Sequence, residues 1–573
     1  MFDQRTGEVL IQHLIDWEVN HIYGLPGDSI NEFIDDLRNR SEDISFIQVR
    51  HEETGALAAS AYAKLTGKIG TCLSIAGPGA IHLLNGLYDA KEDHAPVLAI
   101  VGQVSSDKVG THAFQEINLE RMFDGVAVFN RRAEREDQLP DLLNQAVREA
   151  YDKKGVSVLI VPDDLFAAKN TSSERLTNST YYQPLQVPRN EDINQARKLI
   201  EEADKPVILA GKGTIDAREE LLEFAEKINA PIILSLLAKG IIPDQHPYCL
   251  GHNGQIGTKP AYHAMKEADL VLLVGTQFPY REFFPEKAKA IQIDVNSSNL
   301  GRYYPIQAGL AGDAKETLKM LTDQLEQQES TGFLEKYQEK MNEWRISLQR
   351  EKRIHEDPVK APQVMYQLEQ LMEPGAVVSV DVGNVTVWVS RFLPFVDQRL
   401  VVSGRLATMG SGLPGALAAK IAQPDKQVIG ICGDGGFSMV MQDFVTAVKY
   451  QLPIKIIVLN NSKLGLIKYE QAQMGHLPYK TELGEIDYAK IAEASGGVGY
   501  RIESHGELET KMKQAFVSDQ PVIVDVVVEE QAPLPGHIDY HSAVHYSEYL
   551  IKNFFETGGM DLPDMKKAVK RLK

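Results

Sequence analysis

Short apolar runs, each closed by a turn rich in Gly, Pro or Asn and followed by a helix-period stretch, recur along the chain. In the first third, His21–Gly24, Phe46–Val49, Gly70–Ile75, Pro96–Gly102 and Val156–Val161 read as strands. Gly7–Trp17 is amphipathic and the stretch Thr54–Leu65 is alanine-rich; both read as helices. The middle third repeats the pattern with strands at Pro206–Ala210, Pro231–Leu236, Leu270–Val274 and Ile291–Val295. The last third does so with Val377–Val380, Val428–Cys432, Ile454–Leu459 and Pro521–Val528. Such alternation predicts an α/β protein of three doubly wound parallel-sheet domains, at 1–170, 190–335 and 360–535. Residues 168–191 gain Ser, Thr, Asn and Pro and read as a linker. Residues 330–360 are charged and read as a second linker with a surface helix.

A C-terminal tail at 536–573 ends in a basic amphipathic pattern. Met565, Ala568, Val569 and Leu572 share one face; Lys566, Lys567, Lys570, Arg571 and Lys573 fill the other. Such a helix either lies on an anionic membrane or stands solvated at the chain end.

Composition narrows the class. At 573 residues, three to four domains are expected, and 43% hydrophobic with 24% charged residues is ordinary for a soluble globular protein. A net charge of −19 argues against nucleic-acid binding, which needs a basic footprint. The three cysteines, Cys72, Cys249 and Cys432, form no CxxC and sit near apolar stretches, so buried cytosolic thiols are expected rather than disulfides or zinc. The N-terminus has no apolar core of a secretory signal, and no run is long enough to cross a membrane. A cytoplasmic protein is expected, with peripheral contact at the inner face of the membrane if the tail binds lipid.

The densest chemistry lies between Val428 and Lys468. A strand breaks at Gly433-Asp434-Gly435-Gly436, read as a turn that glycines make cheaply, and a helical pattern with Val440, Met441, Phe444, Val445 and Val448 follows. The next strand ends at Asn460-Asn461. Both ends face the C-terminal edge of a parallel sheet, where such folds bind ligands. A carboxylate, an amide oxygen and a backbone carbonyl are hard ligands that suit Mg2+ together with a diphosphate. By contrast GSGLPG at 410–415, a formal GxGxxG, follows no strand, and Pro414 suits a helix start; it is not read as a dinucleotide site. Glu52 follows a strand and precedes a nearly charge-free helix, a place where a carboxylate can pass protons or merely cap the helix.

GDG followed by 24 residues and NN resembles the signature of thiamine-diphosphate-dependent enzymes. The resemblance extends over nearly the whole chain and is strongest to the pyruvate oxidase branch of the acetolactate synthase-like superfamily. It implies a pyrimidine-binding first domain, a central FAD-binding domain and a diphosphate-binding third domain. Asp434, Asn461 and the carbonyl of Lys463 would be the Mg2+ ligands. Asp381, Gly383, Met409, Gly433, Gly435, Gly436, Leu464, Gly465, Leu466 and Ile467 would contact thiamine diphosphate. Glu52, in Arg50-His51-Glu52-Glu53, would be the catalytic glutamate that meets the aminopyrimidine, in the family across a subunit boundary; a homodimer or homotetramer follows. Gly77-Pro78-Gly79 with His82, and Ala113-Phe114-Gln115-Glu116, also resemble this branch, with Phe114 and Gln115 facing the substrate. Ile467 and Glu470 would flank it from the other side. In the central domain Gly211, Gly213, Gly275, Thr276, Asp294 and Asp313 occupy FAD-contact positions.

The implied activity is oxidative decarboxylation of pyruvate through hydroxyethyl-thiamine diphosphate. Electrons pass to FAD and then to a quinone or O2, and the product is acetate, or acetyl phosphate if phosphate attacks, with CO2. Leu466 departs from the Phe of phosphate-using oxidases. Acetolactate synthase is the alternative, although the Trp those enzymes carry further along this helix is absent. A catalytically silent flavoprotein binding module is the remote one.

Overall fold

The computed structural model describes residues 4–171 and 179–531, together with Tyr549 and Lys552. Each third of the chain builds one six-stranded, all-parallel sheet. The first holds β1 (His21–Gly24), β2 (Ser45–Gln48), β3 (Gly70–Ser74), β4 (Val97–Gln103), β5 (Ala127–Arg132) and β6 (Val156–Pro162), in the order β2-β1-β3-β4-β6-β5. The second holds β7 (Pro206–Ala210), β8 (Ile232–Leu234), β9 (Cys249–His252), β10 (Leu270–Val274), β11 (Lys289–Asp294) and β12 (Ala308–Ala311), in the order β12-β11-β10-β7-β8-β9. The third holds β13 (Val377–Val380), β14 (Arg399–Val402), β15 (Val428–Gly433), β16 (Lys455–Asn460), β17 (Val498–Ile502) and β18 (Val522–Val527), in the order β14-β13-β15-β16-β18-β17. Central strands such as β4, β7 and β16 are buried along their whole length, as sheets covered on both faces require.

The alanine-rich segment forms the helix Glu52–Thr66, buried on nearly all sides. It packs against the helix Gly412–Ala422 of the third domain, so the first and third domains share one apolar core. Within the first domain the helix Leu84–Glu92 also lies directly on Glu52–Thr66: a Cβ on Gly86 would stand 2.5 Å from the Leu57 nitrogen. GSGLPG is explained the same way. The helix begins at Gly412, and Cβ atoms at Gly412 and Gly415 would stand 2.5 Å from Cys432 Sγ and 2.2 Å from Ser379 Oγ. These glycines let a helix lie directly on β13 and β15.

Two sequence expectations are corrected. The helix after GDG is not continuous: it runs Asp434–Val440, tightens to a 3-10 turn at Met441–Asp443, and resumes at Phe444–Lys449. There Asp443 Oδ1 accepts from the Arg50 nitrogen at 2.7 Å and from Thr446 Oγ1 at 2.9 Å, so the break serves the contact with the first domain. The segment read as a linker with a surface helix contains the helix Phe333–Lys352, whose Phe333, Tyr337 and Met341 are buried against the central domain. All three thiols are free and buried. Among the described residues no helix is long and apolar enough to cross a membrane. The amphipathic pattern from Met565 to Leu572 lies outside the described residues.

Candidate functional site

Strands β15 and β16 deliver the first cluster. Asp434 opens a helix directly after β15, and Asn461 follows β16. One backbone N–H, that of Lys463, donates to Asp434 Oδ2 at 3.2 Å and to Asn461 Oδ1 at 3.1 Å. The chain turns back to do this at Ser462, whose φ of 56° is left-handed. The two asparagines of the NN pair have different jobs. Asn460 faces into the domain, donating to Asp525 Oδ1 at 2.9 Å and Ile486 O at 3.0 Å; Asn461 is left for the site. Burial pushes the Asp434 carboxyl up to about 6, against backbone N–H donors including those of Gly435 and Lys463.

Asp381, at the end of β13, lies beneath this corner. Its Oδ1 accepts from Val382 N at 2.7 Å and Gly410 N at 2.8 Å; its buried Oδ2 has no partner. Burial lifts this carboxyl to about 6 as well. A Cβ on Gly436 would stand 2.6 Å from Asp381 Oδ2, and one on Gly435 3.0 Å from Leu464 Cδ2 and 3.3 Å from Met409 Cε. The expected glycine turn is therefore corrected: none of Gly433, Gly435 and Gly436 takes a positive φ, and Gly435 and Gly436 are needed for space. Around Gly433 and Gly383 the space a Cβ would take is open. With the buried Asn384 Oδ1 left without a protein partner beside this open backbone, the corner is a cradle that fits a polar ligand. The donor set Asp434, Asn461 and a backbone carbonyl is all hard oxygen and fits Mg2+. Ile467 and Glu470, on the helix Gly465–Gln473, are exposed; Leu464, Gly465 and Leu466 are half-buried.

The second cluster surrounds Glu52, which is buried at the start of its helix. Its Oε2 lies 2.9 Å from His82 Nδ1, and the His82 ring stacks on His51 at 4.3 Å between centroids. Beside a carboxylate, Nδ1 is the protonated nitrogen. The Gly77-Pro78-Gly79 turn makes the cluster. A Cβ on Gly79 would stand 2.9 Å from Glu52 Oε1, and one on Gly77 2.8 Å from the Gln115 carbonyl. Gln115 takes a φ of 64°, and Phe114 beside it is 86% exposed. Glu53 turns away: its Oε1 accepts from Asn85 Nδ2, which also donates to Thr408 of the third domain.

A cleft of about 1930 Å³ runs along the C-terminal edge of the central sheet and reaches Gly404 and Arg405 of the third domain. Gly213, Gly275, Thr276, Asp294 and Asp313 line it; Gly211 lies below, its N–H bonded to Val274 O. Gly211, Gly213 and Gly275 touch one another, with Cβ atoms at Gly211 and Gly213 falling 2.4 and 2.7 Å from backbone atoms of Gly275. Asp294 accepts from Asn296 N at 2.8 Å and Asn299 Nδ2 at 3.1 Å, and Asp313 caps the helix Ala314–Gln324. Lys212 lines the cleft too. Its ammonium donates to the Asp93 carbonyl at 2.8 Å, and burial lowers it to about 8.

Sequence comparison decides the family. Three models match in order: the N-terminal TPP binding domain of thiamine pyrophosphate enzymes at residues 4–122, their central domain at 193–321, and their C-terminal TPP binding domain at 381–526. The chain belongs to the thiamine pyrophosphate enzymes. It is 51% identical, over all of both chains, to YdaP of Bacillus subtilis (strain 168), which bears the name of a thiamine pyrophosphate-containing protein. It is 36% identical to the pyruvate oxidase of Lactiplantibacillus plantarum, covering 93% of this chain and 90% of that one. It is 33% identical to the acetolactate synthase of Mycobacterium leprae, covering 92% and 88%.

For a thiamine pyrophosphate enzyme the sequence reading placed Asp434, Asn461, Lys463, Leu464 and Met409 in one region, and the structure gathers them. It passed over Asn384, whose Nδ2 would lie 2.7 Å from a Cβ on Gly465, and Tyr488, whose hydroxyl donates to the Asp434 carbonyl at 3.1 Å. Nothing in the spacing of Tyr488 points to the site. Asn384 had a signal, standing directly after Gly383 at a strand end.

Proposed function

We propose that this enzyme oxidises pyruvate, releasing CO2 and acetate or acetyl phosphate, while two electrons leave through FAD to a quinone or O2. The observation that carries this reading is the central cleft. It lies along the C-terminal edge of the second sheet, against Lys64, Glu92 and Asp93 of the first domain, and reaches Gly404 and Arg405 of the third, a few residues before Met409. A dinucleotide bound there would end beside the thiamine corner, as electron transfer requires. The contacts of Gly211, Gly213 and Gly275 form the narrow floor on which such a ligand would lie.

When bound, thiamine diphosphate supplies the electron sink for decarboxylation and FAD the two-electron acceptor. The protein binds, orients and moves protons. Asp434, Asn461 and the Lys463 carbonyl would hold Mg2+ against the diphosphate, whose charge would lie along the open backbone at Gly383 and Gly433. Met409 and Leu464, which meet over Gly435, would support the thiazolium face. Glu52 would exchange a proton with the aminopyrimidine, with His82 holding its carboxylate from the other side. Phe114, Gln115, Ile467 and Glu470 would bound the substrate. Phe114, Ile81, Met439, Met474, Tyr479 and Leu483 are exposed large apolar side chains. Their exposure supports closure of the site by a second copy of the chain.

The test is a visible spectrum of the full chain with thiamine diphosphate, Mg2+ and FAD, without oxygen, before and after pyruvate. Bleaching of the flavin band supports the oxidase. An unbleached flavin with acetolactate in the product supports a synthase instead. A chain that takes up no flavin overturns the reading of the central cleft.

A further inference from the structure

In the central sheet the strand order departs in both directions from the pair β7 and β10, and a ligand at this edge lies across the row of strand ends. Asp294 and Asp313, after β11 and β12, stand at one end of the row; Asn253, after β9, stands at the other. At about 4.8 Å per strand the two ends are roughly 20 Å apart, the reach of an extended dinucleotide.

Asn253 lines the cleft and is only 2% exposed, yet neither its Nδ2 nor its Oδ1 has a hydrogen-bond partner in the protein. Buried amides are nearly always satisfied, and an orphan that lines a cleft points to a missing partner. The loop that carries it is fixed. The Arg391 guanidinium donates to Gln255 O at 2.7 Å and to Ile256 O and Gly257 O at 3.1 Å, and Gly257 N donates to Gly254 O at 2.9 Å. The neighbouring lining is apolar, with Leu236, Leu237 and Phe278. Leu237 also packs on Gly404, where a Cβ would fall 2.5 Å from its Cδ2, so this end of the cleft meets the third domain.

An amide offers one donor and one acceptor side by side, complementary to a ring edge with an N–H beside a carbonyl. We infer that Asn253 reads such an edge on a flat heteroaromatic ring bound among Leu236, Leu237 and Phe278. Resting on the flavin reading above, that edge is N3–H and a flanking carbonyl of the isoalloxazine. N3–H donates to Oδ1, and the carbonyl accepts from Nδ2. The opposite end, at Asp294, then takes the ribose hydroxyls of the adenosine half.

The experiment is calorimetric titration of the flavin-free full chain with FAD, with FAD methylated at N3, and with ADP, which lacks the ring. In the unaltered chain methylation should weaken binding about tenfold or more, because it blocks the donor and leaves Oδ1 unpaired. Asn253→Ala should weaken FAD by about tenfold to a hundredfold and erase the difference between FAD and its methylated form. ADP should bind both chains alike, which also shows that the variant is folded. Asn253→Asp, which keeps shape and acceptor but loses the donor, should bind FAD more weakly yet still discriminate against the methyl group. An Asn253→Ala chain that binds ADP and FAD as before, or keeps the full methyl discrimination, overturns the role of Asn253 and leaves the nucleotide site standing. An unaltered chain that binds neither FAD nor ADP overturns the flavin reading and this inference together.

Discussion

His82 reaches Glu52 across the GPG turn, Nδ1 to Oε2 at 2.9 Å, in a pocket that has no room for a side chain at Gly79. The imidazole holds one oxygen of the carboxylate and leaves the other for a ligand. Glu52→Gln should therefore lower turnover by about 10²–10⁴-fold, the range typical of a lost acid–base group, while thiamine diphosphate still binds. His82→Ala, which keeps the carboxylate and loses its holder, should cost less. Steady-state rates with pyruvate, beside cofactor content, check both.

Asp434 and Asn461 share the Lys463 N–H, a weak link between two oxygens that a cation would join more strongly. Asp434→Ala should abolish retention of thiamine diphosphate through gel filtration. Chelation of divalent metal should reproduce that loss in the unaltered chain, and added Mg2+ should reverse it there but not in the variant.

If the central cleft holds FAD as proposed, Lys212 gives its affinity a pH dependence. The groups acting on its ammonium, lowered to about 8 by burial, are Asp93 and Asp89, which raise it, and Lys64 and Lys154, which lower it further. A bound diphosphate favours the charged amine. Below pH 8 that charge is already present; above it, binding must recruit a proton. FAD affinity should therefore fall as pH rises through about 8, by up to about tenfold per pH unit, and Lys212→Met should flatten the curve. Fluorescence titrations between pH 6.5 and 9.5 read it directly.

Lys64 lies buried between two acids, its ammonium 2.6 Å from both Asp89 Oδ2 and Asp93 Oδ2. Asp93 in turn accepts from the backbone N–H groups of Gly404 and Arg405, at 2.9 and 3.0 Å. Lys64→Met would leave two buried carboxylates without their cation, a loss of roughly 3–5 kcal/mol. A clear drop in the thermal midpoint is expected, and loosened Gly404–Arg405 should also weaken flavin binding.

Gly436 lies against the Asp381 carboxylate. Gly436→Ala should cost about 1–3 kcal/mol by overpacking and displace Asp381. Lower thermal stability should accompany weaker binding of thiamine diphosphate.

Buried strands and strand-end motifs were legible in the sequence, and edges were not. β5, β9, β12, β14 and β17, five of the six edge strands in the three sheets, were not read as strands. All but β9 are partly exposed, so their residues lack the continuous apolar run that marks β4 or β16. GDG and NN announced their corner because each lies where a buried strand stops abruptly at a polar group. The glycines were legible as a signal but not in their cause: a turn that glycines make cheaply was expected at GDG, while the need at Gly435 and Gly436 is room for Asp381 and Leu464. Asn253 could not be found this way, since only a folded chain shows that its amide is shielded and unpaired.

The helix Asn384–Phe392 begins beside the thiamine corner, where Asn384 faces Gly465, and carries Arg391 onto a loop that lines the central cleft. Seven residues at about 1.5 Å each set roughly 10 Å between these two anchor points, and the helix pitch of about 100° per residue sets their relative bearing. Substitutions along its length can be absorbed by repacking. A single inserted or deleted residue cannot, because it would swing Arg391 off its three carbonyls while Asn384 stayed in place. Drift in this stretch is therefore confined to exchange of side chains at constant length, and natural length variation has to collect in the connections on either side.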